Sequence, residues 1–161
     1  MIKIYSSFRY KIRLIDFETV LPFWRRRVWP GRQSPIRPVT TMTFLGGYDM
    51  TILDKYIDDV RIFGAFHGKR MIGVTSGHPT SETHFRHRTF YVRPMYQGKG
   101  IGCALMAAVE QAARDAGRQL IWGLPRVPMV PFFLAHGWSK VSDEVTEGME
   151  FGPNVYVAKS F

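Results

Sequence analysis

The sequence holds a single cysteine, Cys103, in 161 residues, so no disulfide can form within the chain. No apolar run nears the roughly 20 residues that a helical membrane span needs. Basic residues scattered through MIKIYSSFRYKIRLIDF leave no apolar stretch of the secretory kind. A cytoplasmic location with no membrane partner is the resulting expectation. Internal repeats and low-complexity tracts are missing as well. Acids are scarce at the front: residues 1–40 have Asp16 and Glu18 against nine basic side chains, among them Lys3, so most of the net charge of +9 lies in that quarter. Such an excess suits an acidic partner or a phosphorylated ligand; the alternative is a solvated basic surface.

What is present fits one compact domain. Hydrophobic residues make up 45% of the chain and charged ones 22%, enough apolar material for a core. Tyr10–Leu14 alternates as a strand does. Glu18–Trp29 is expected to be a helix, capped by Thr19, with Pro22 in its first turn. Residues 30–47, rich in Pro, Gly, Ser and Thr, form a long irregular connection of the kind that often carries function. Ile52–Ile57 is a short helix. Arg61–His67 and Met71–Ser76 form a hairpin over Gly68 and Lys69. Gly77–Arg86 is polar, contains a proline and is expected to be a loop, and His87–Val92 is a strand ended by Pro94. Ile101–Ala116 carries an apolar stripe (Ile101, Leu105, Ala108, Val109, Ala112, Ala116) and stops at Gly117. Gln119–Leu124 is a strand, Val130–His136 a helix, and Trp138–Val141 and Val155–Lys159 the last strands. The order predicts a mixed α/β fold with helices on both faces of one sheet.

The informative stretch is YVRPMYQGKGIG, Tyr91–Gly102. A strand halts at Pro94 and a glycine turn opens directly into the amphipathic helix. The first amides of a helix lack internal partners, and with the helix dipole they form a site for an anion such as a diphosphate. The phosphate loop GxxxxGK[ST] does not occur. The dinucleotide pattern GxGxxG fails, because Cys103 and Leu105 stand where its last glycine would be. Gln97, Gly100 and Gly102 instead match Gln/Arg-x-x-Gly-x-Gly/Ala without a gap.

This pattern resembles the GNAT (N-acetyltransferase) superfamily. Tyr91–Gly102 is similar to that family's strand-turn-helix segment, and PFFLAHGW to its FYEKLGF-type block; the resemblance spans about residues 60–140. It implies a mixed, mostly antiparallel sheet with a splayed central parallel pair. One domain, 1–161, would have an acceptor-side part (1–57), an acyl-CoA-binding core (58–140) and C-terminal strands (141–161). The implied activity is acyl transfer from acetyl-CoA, a co-substrate, to a primary amine, with no metal. The resemblance assigns backbone pairing with the pantetheine arm to Tyr91, Val92 and Arg93. It assigns the diphosphate to Gln97, Gly98, Lys99, Gly100, Ile101 and Gly102, and packing near the coenzyme to Phe132 and Phe133.

The chain departs from the family pattern in several places. Phe133 stands where a tyrosine often protonates the leaving thiolate, so Tyr96 and Tyr156 become candidate acids. Arg86 stands near a frequent glutamate, which leaves His87, His84 and Glu82 as candidate bases, a histidine suiting the task by its near-neutral pKa. Arg126 falls where many members have asparagine. Cys103 is expected to pack inside its helix. His84 and His87 have HxxH spacing, with His78 upstream, but they lack the carboxylate partner a metal site would want. On the acceptor side, Trp24, Arg25, Arg26, Arg27 and Trp29 interleave charge with aromatic rings, which suits a nucleotide or nucleic acid bearing an amine. The alternative is a catalytically weak module that binds coenzyme A or nucleic acid; under either reading a monomer or homodimer is expected.

Overall fold

A computed structural model of the chain describes residues 2–5 and 8–161; the Lys3 side chain lies outside the described residues. Its strands are β1 (Ile2–Tyr5), β2 (Phe8–Leu14), β3 (Arg61–His67), β4 (Arg70–Pro79), β5 (His84–Val92), β6 (Leu120–Gly123), β7 (Ser139–Lys140) and β8 (Val157–Ser160). They join in one sheet, ordered β1-β2-β3-β4-β5-β6-β8-β7. Among the described residues every pairing is antiparallel except β5 with β6. The expected mixed sheet with one central parallel pair is therefore the observed one.

Helices cover both faces. On one face, α3 (Ile101–Asp115) and α4 (Val130–Ala135) bury Met106, Val109 and Phe133 against Phe85, Ile121 and Val157. The same helix α3 buries Ile101 and Leu105 against Tyr10, Ala65, Ile72 and Val92. On the other face, α1 (Phe17–Phe23) continues into a π-helical turn, Trp24–Val28, and buries Val20, Phe23 and Trp24 against Ile62 and Val74. The short α2 (Ile52–Lys55) follows a connection that includes an isolated bridge, Met42 to Tyr48.

Several expected boundaries move. Asp16, not Thr19, caps α1: its carboxylate accepts from the Thr19 amide at 2.8 Å. The larger correction concerns Gly77–Arg86. Gly77, His78 and Pro79 extend β4, and β5 begins at His84, with the registers Gly77↔His87, His78↔Arg86 and Pro79↔Phe85. Residues 72–80 are all buried. Their polar groups are satisfied across the sheet and by the 38–41 segment, so the polarity that reads as a loop is internal here. In α3 the buried stripe is Ile101, Leu105, Met106, Val109 and Ala113, while Ala108, Ala112 and Ala116 are only half-buried. Gly117, at φ +72°, ends that helix as expected.

Gly77 lets β4, β5 and α3 approach each other closely. A Cβ there would overlap the Phe85 ring and come within 2.9 Å of both the Arg86 carbonyl oxygen and Val109 Cγ2. Gly77→Ala is therefore expected to lower stability by about 2–3 kcal/mol, as overpacked cores do. Urea unfolding measures this; an unchanged midpoint would contradict the packing described.

Candidate functional site

Strands β5 and β6 part company early. Their pairing runs only over His84↔Leu120, Phe85↔Ile121 and Arg86↔Trp122. From His87 to Val92, β5 keeps its pairing with β4 but has none on the β6 side. β5 also bulges: Val74 faces Tyr91 while Ser76 faces Arg88, so Thr89 and Phe90 together oppose Thr75. Thr89 takes a positive φ of 62°, strained for a β-branched residue, and its hydroxyl is 2.6 Å from that of Ser76.

A cavity of about 870 Å³ opens where the strands separate. One end is lined by Gln97, Gly98, Gly100, Gly102, Cys103 and Phe132. Gly100 caps α3 in the left-handed region at φ +81°, with no side chain bonded to the helix end. The first intrahelical bond runs from the Ala104 amide to the Gly100 carbonyl at 3.1 Å, so the amides of Ile101, Gly102 and Cys103 have no helical acceptor. The Gln97 side chain closes the turn on the Val92 carbonyl at 3.0 Å. Gly102 could not gain a Cβ freely, since Phe132 and Phe90 would lie 3.3 Å away. Of the residues expected to hold a coenzyme, Tyr91, Val92, Phe132 and Phe133 also line the cavity. The Arg93 amide and guanidinium bond to Ile72 and Met71 carbonyls; the side chains of Lys99 and Ile101 go to the Phe8 ring and the core, while the Ile101 amide stays among the bare ones.

The other end is lined by Arg27, Arg32, Arg86, Arg88 and Arg126, with Glu150 as its one carboxylate. Alternation along β5 sends Arg86 and Arg88 to the α1 face and His87 to the α3 face. Both arginines are over 90% buried. Arg86 stacks over Trp122 and donates to the Thr40 hydroxyl at 2.8 Å. Arg88 lies near the Trp24 and Trp29 rings and donates to the Arg37 and Pro38 carbonyls at 2.8 and 3.2 Å. Neither has a carboxylate partner; the ion pairs among the described residues are Lys55–Glu82 and Lys159–Glu110. Burial pulls Arg86 down to about 10, which still leaves it charged at neutral pH. Sequence reasoning misses these arginines as cavity residues, although two arginines two positions apart in HFRHRTF are the pattern for one strand face.

The remaining expectations sort by position. Trp24 is fully buried and packs on Phe17 and Trp29, so it is core and not a stacking surface. Trp29 is half-buried at the cavity; Arg25, Arg26 and Arg27 are exposed, with only Arg27 reaching its rim. Glu82 is exposed and paired with Lys55 at 3.0 Å, outside the cavity lining. His84, whose pKa burial lowers, packs on Phe44, also outside. His87 is buried among Phe90, Phe133 and Trp138, 2.8 Å from the Thr75 hydroxyl. Tyr96 lines the cavity, but its hydroxyl is 3.4 Å from His67 Nδ1. Tyr156 is buried against Trp122 and Phe44 and does not line the cavity. Cys103, expected to be packed, is exposed, with Sγ 3.1 Å from His136 Nε2. No cluster of three His, Cys, Asp or Glu side chains suited to a metal exists among the described residues.

Comparison with known proteins comes down on one side. The model of the Acetyltransferase (GNAT) family matches residues 35–138. No protein of curated function matches the sequence. Among solved structures, Ard1 from Thermoplasma volcanium has 16% identity over 94% of this chain and 97% of its own, with a TM-score of 0.67. An IAA acetyltransferase from Bacillus cereus has 16% identity, 94% and 99% coverage and a TM-score of 0.65. A GNAT family acetyltransferase from Elizabethkingia anophelis, solved with acetyl-CoA bound, has 13% identity, 94% and 98% coverage and a TM-score of 0.59.

Burial holds two histidines neutral. His87 is pushed down to about 3 by burial and then by Arg86; His78, bonded to Thr40 and Pro79, is pushed to about 3 by burial and by Arg88 and Arg86. The unfolded chain protonates histidine near pH 6.5, so stability is complete above that value and drains away as the pH falls toward about 3. Lowering the pH from 7 to 5 is expected to remove about 2 kcal/mol per histidine. Urea midpoints at the two pH values check this, and His87→Gln should flatten the dependence by about half.

Proposed function

Because this chain belongs to the Acetyltransferase (GNAT) family, we propose that it transfers an acetyl group from acetyl-CoA to a primary amine. One observation carries the reading: the edge of β5 left bare after Arg86 and the uncapped start of α3 face the same cavity. The amides of residues 101–103, freed by the left-handed Gly100, offer donors to a diphosphate. The open edge of Tyr91 and Val92 offers backbone groups to an amide-bearing arm, which pairs as an added strand does. Phe132 and Phe90, closing over Gly102, leave room for a backbone contact and little for a side chain.

The thioester supplies an activated acyl group, and the protein supplies alignment and a backbone donor for its carbonyl oxygen. The amine enters from the arginine-lined end. His87, held to about 3, is too weak a base to take its proton at neutral pH. Among the cavity-lining residues the other carboxylate or histidine is Glu150, whose hydrogen bonds to Gln33 and Ser34 depress its pKa. The proton therefore leaves to water. Phe133 brings no hydroxyl to the leaving thiolate, which departs as the anion. That same missing hydroxyl favours a second reading, a coenzyme-binding module without turnover, which thiol release on an amine panel separates from the first.

Two results are expected. Acetyl-CoA should bind with measurable heat in calorimetry, and Gly102→Glu, which places a carboxylate among the amides, should weaken it by at least about 100-fold. Equal affinity in the variant would remove the site. Thiol release should rise with pH along the ionisation of the chosen amine itself, and His87→Gln should keep the shape of that profile. An inflection below that of a free imidazole, in the direction burial moves His84, that disappears in His84→Asn would instead make His84 the base.

A further inference from the structure

Burying two guanidinium groups without a carboxylate is unfavourable unless something else supplies the charge. Arg86 and Arg88 stand two residues apart on one face of β5, and both line the cavity. Arg86 Nε is buried and has no hydrogen-bond partner. Its one protein bond is from Nη1 to Thr40, and both protein bonds of Arg88 also use Nη1. The remaining guanidinium nitrogens of both residues are thus uncommitted donors. Their surroundings are rigid: His78 holds Thr40, Thr40 holds Arg86, and the rings of Trp24, Trp29 and Trp122 pack the planes. Arg32 and Arg126 border the same space, while Glu150 is already engaged by Gln33 and Ser34.

Resting on the transferase reading above, we propose that the acceptor is a small amine that also carries an anion, carboxylate or phosphoryl, gripped by Arg86 and Arg88. A fork of fixed N–H donors matches either oxyanion. The bulge at Thr89–Phe90 follows Arg88 directly, so the anion and the open edge of β5 lie within a few residues' rise, on the order of 7–10 Å. That spacing fits a compact molecule whose amine and anion are a few bonds apart. A polynucleotide would instead meet the exposed Arg25 and Arg26, which lie outside the cavity lining.

The experiment is thiol release from acetyl-CoA with four kinds of acceptor: α-amino acids, the matching amino-acid amides, aminoalkylphosphonates, and an oligonucleotide bearing exocyclic amines. The intact chain should prefer an anionic acceptor over its neutral counterpart by on the order of 100-fold or more in kcat/KM. Whether carboxylate or phosphonate leads identifies the anion. Arg86→Met should erase the preference and melt no lower than the parent protein, because it removes an unpaired buried charge. Equal rates on amino acids, their amides and the aminoalkylphosphonates would overturn the inference and leave the transferase standing, as would turnover confined to the oligonucleotide. Absence of heat with acetyl-CoA would remove both. Should coenzyme bind but no acceptor turn over, melting shifts of the coenzyme-loaded protein with N-acetylamino acids against their amides decide: shifts that do not differ, or that persist in Arg86→Met, overturn the inference.

Discussion

The early separation of β5 from β6 is the constraint on which the site depends. Strand pairing satisfies backbone groups, so a central strand that gives up a neighbour leaves donors and acceptors facing a space that something must fill. Here the separation begins after Arg86, and the bulge at Thr89 turns the strand away. The same bend brings the C-terminal end of β5 under the start of α3, where the glycine turn leaves three amides bare. Sheet edge and helix end thus face one cavity because a single strand runs between them.

The two faces of β5 divide the work. Toward α3 and α4, Phe85 and His87 join an aromatic and aliphatic core. Toward α1, Ser76, His78, Arg86, Arg88 and Thr89 form a buried polar strip, held by hydroxyls, a neutral imidazole and main-chain carbonyls. Such a strip is tolerated because nearly every polar atom in it has a partner. The guanidinium nitrogens left without a partner on Arg86 and Arg88 are the exceptions, and both residues line the cavity.

Much of this was legible in the chain. The glycine turn and the amphipathic run after it need only neighbouring residues to read, and both stand where the pattern put them. The hairpin over Gly68 and Lys69 is equally local. What failed depends on distant partners. Gly77–Pro79 looks like a loop until the 38–41 segment and β5 are seen to satisfy it. The alanines of α3 fit its apolar stripe by periodicity alone, so Met106 and Ala113, which face the sheet, could not be chosen over Ala108 and Ala112. Trp24 and the three arginines after it read as one mixed surface, yet the π-helical turn buries the ring and leaves the charges outside. The cavity arginines are hard to read from the chain because residue type alone makes an arginine look solvent-bound.

Residues 37–40 interlock with β5: Arg37 and Pro38 offer carbonyls to Arg88, and Thr40 bridges His78 to Arg86. Connection and strand therefore cannot diverge independently. Any side chain at 37 or 38 keeps those carbonyls, so the bond that residue identity governs is Thr40 to Arg86, a hydroxyl to a guanidinium. A descendant that altered one of that pair alone would strand the other, so change in this strip should arrive as paired substitutions 46 positions apart.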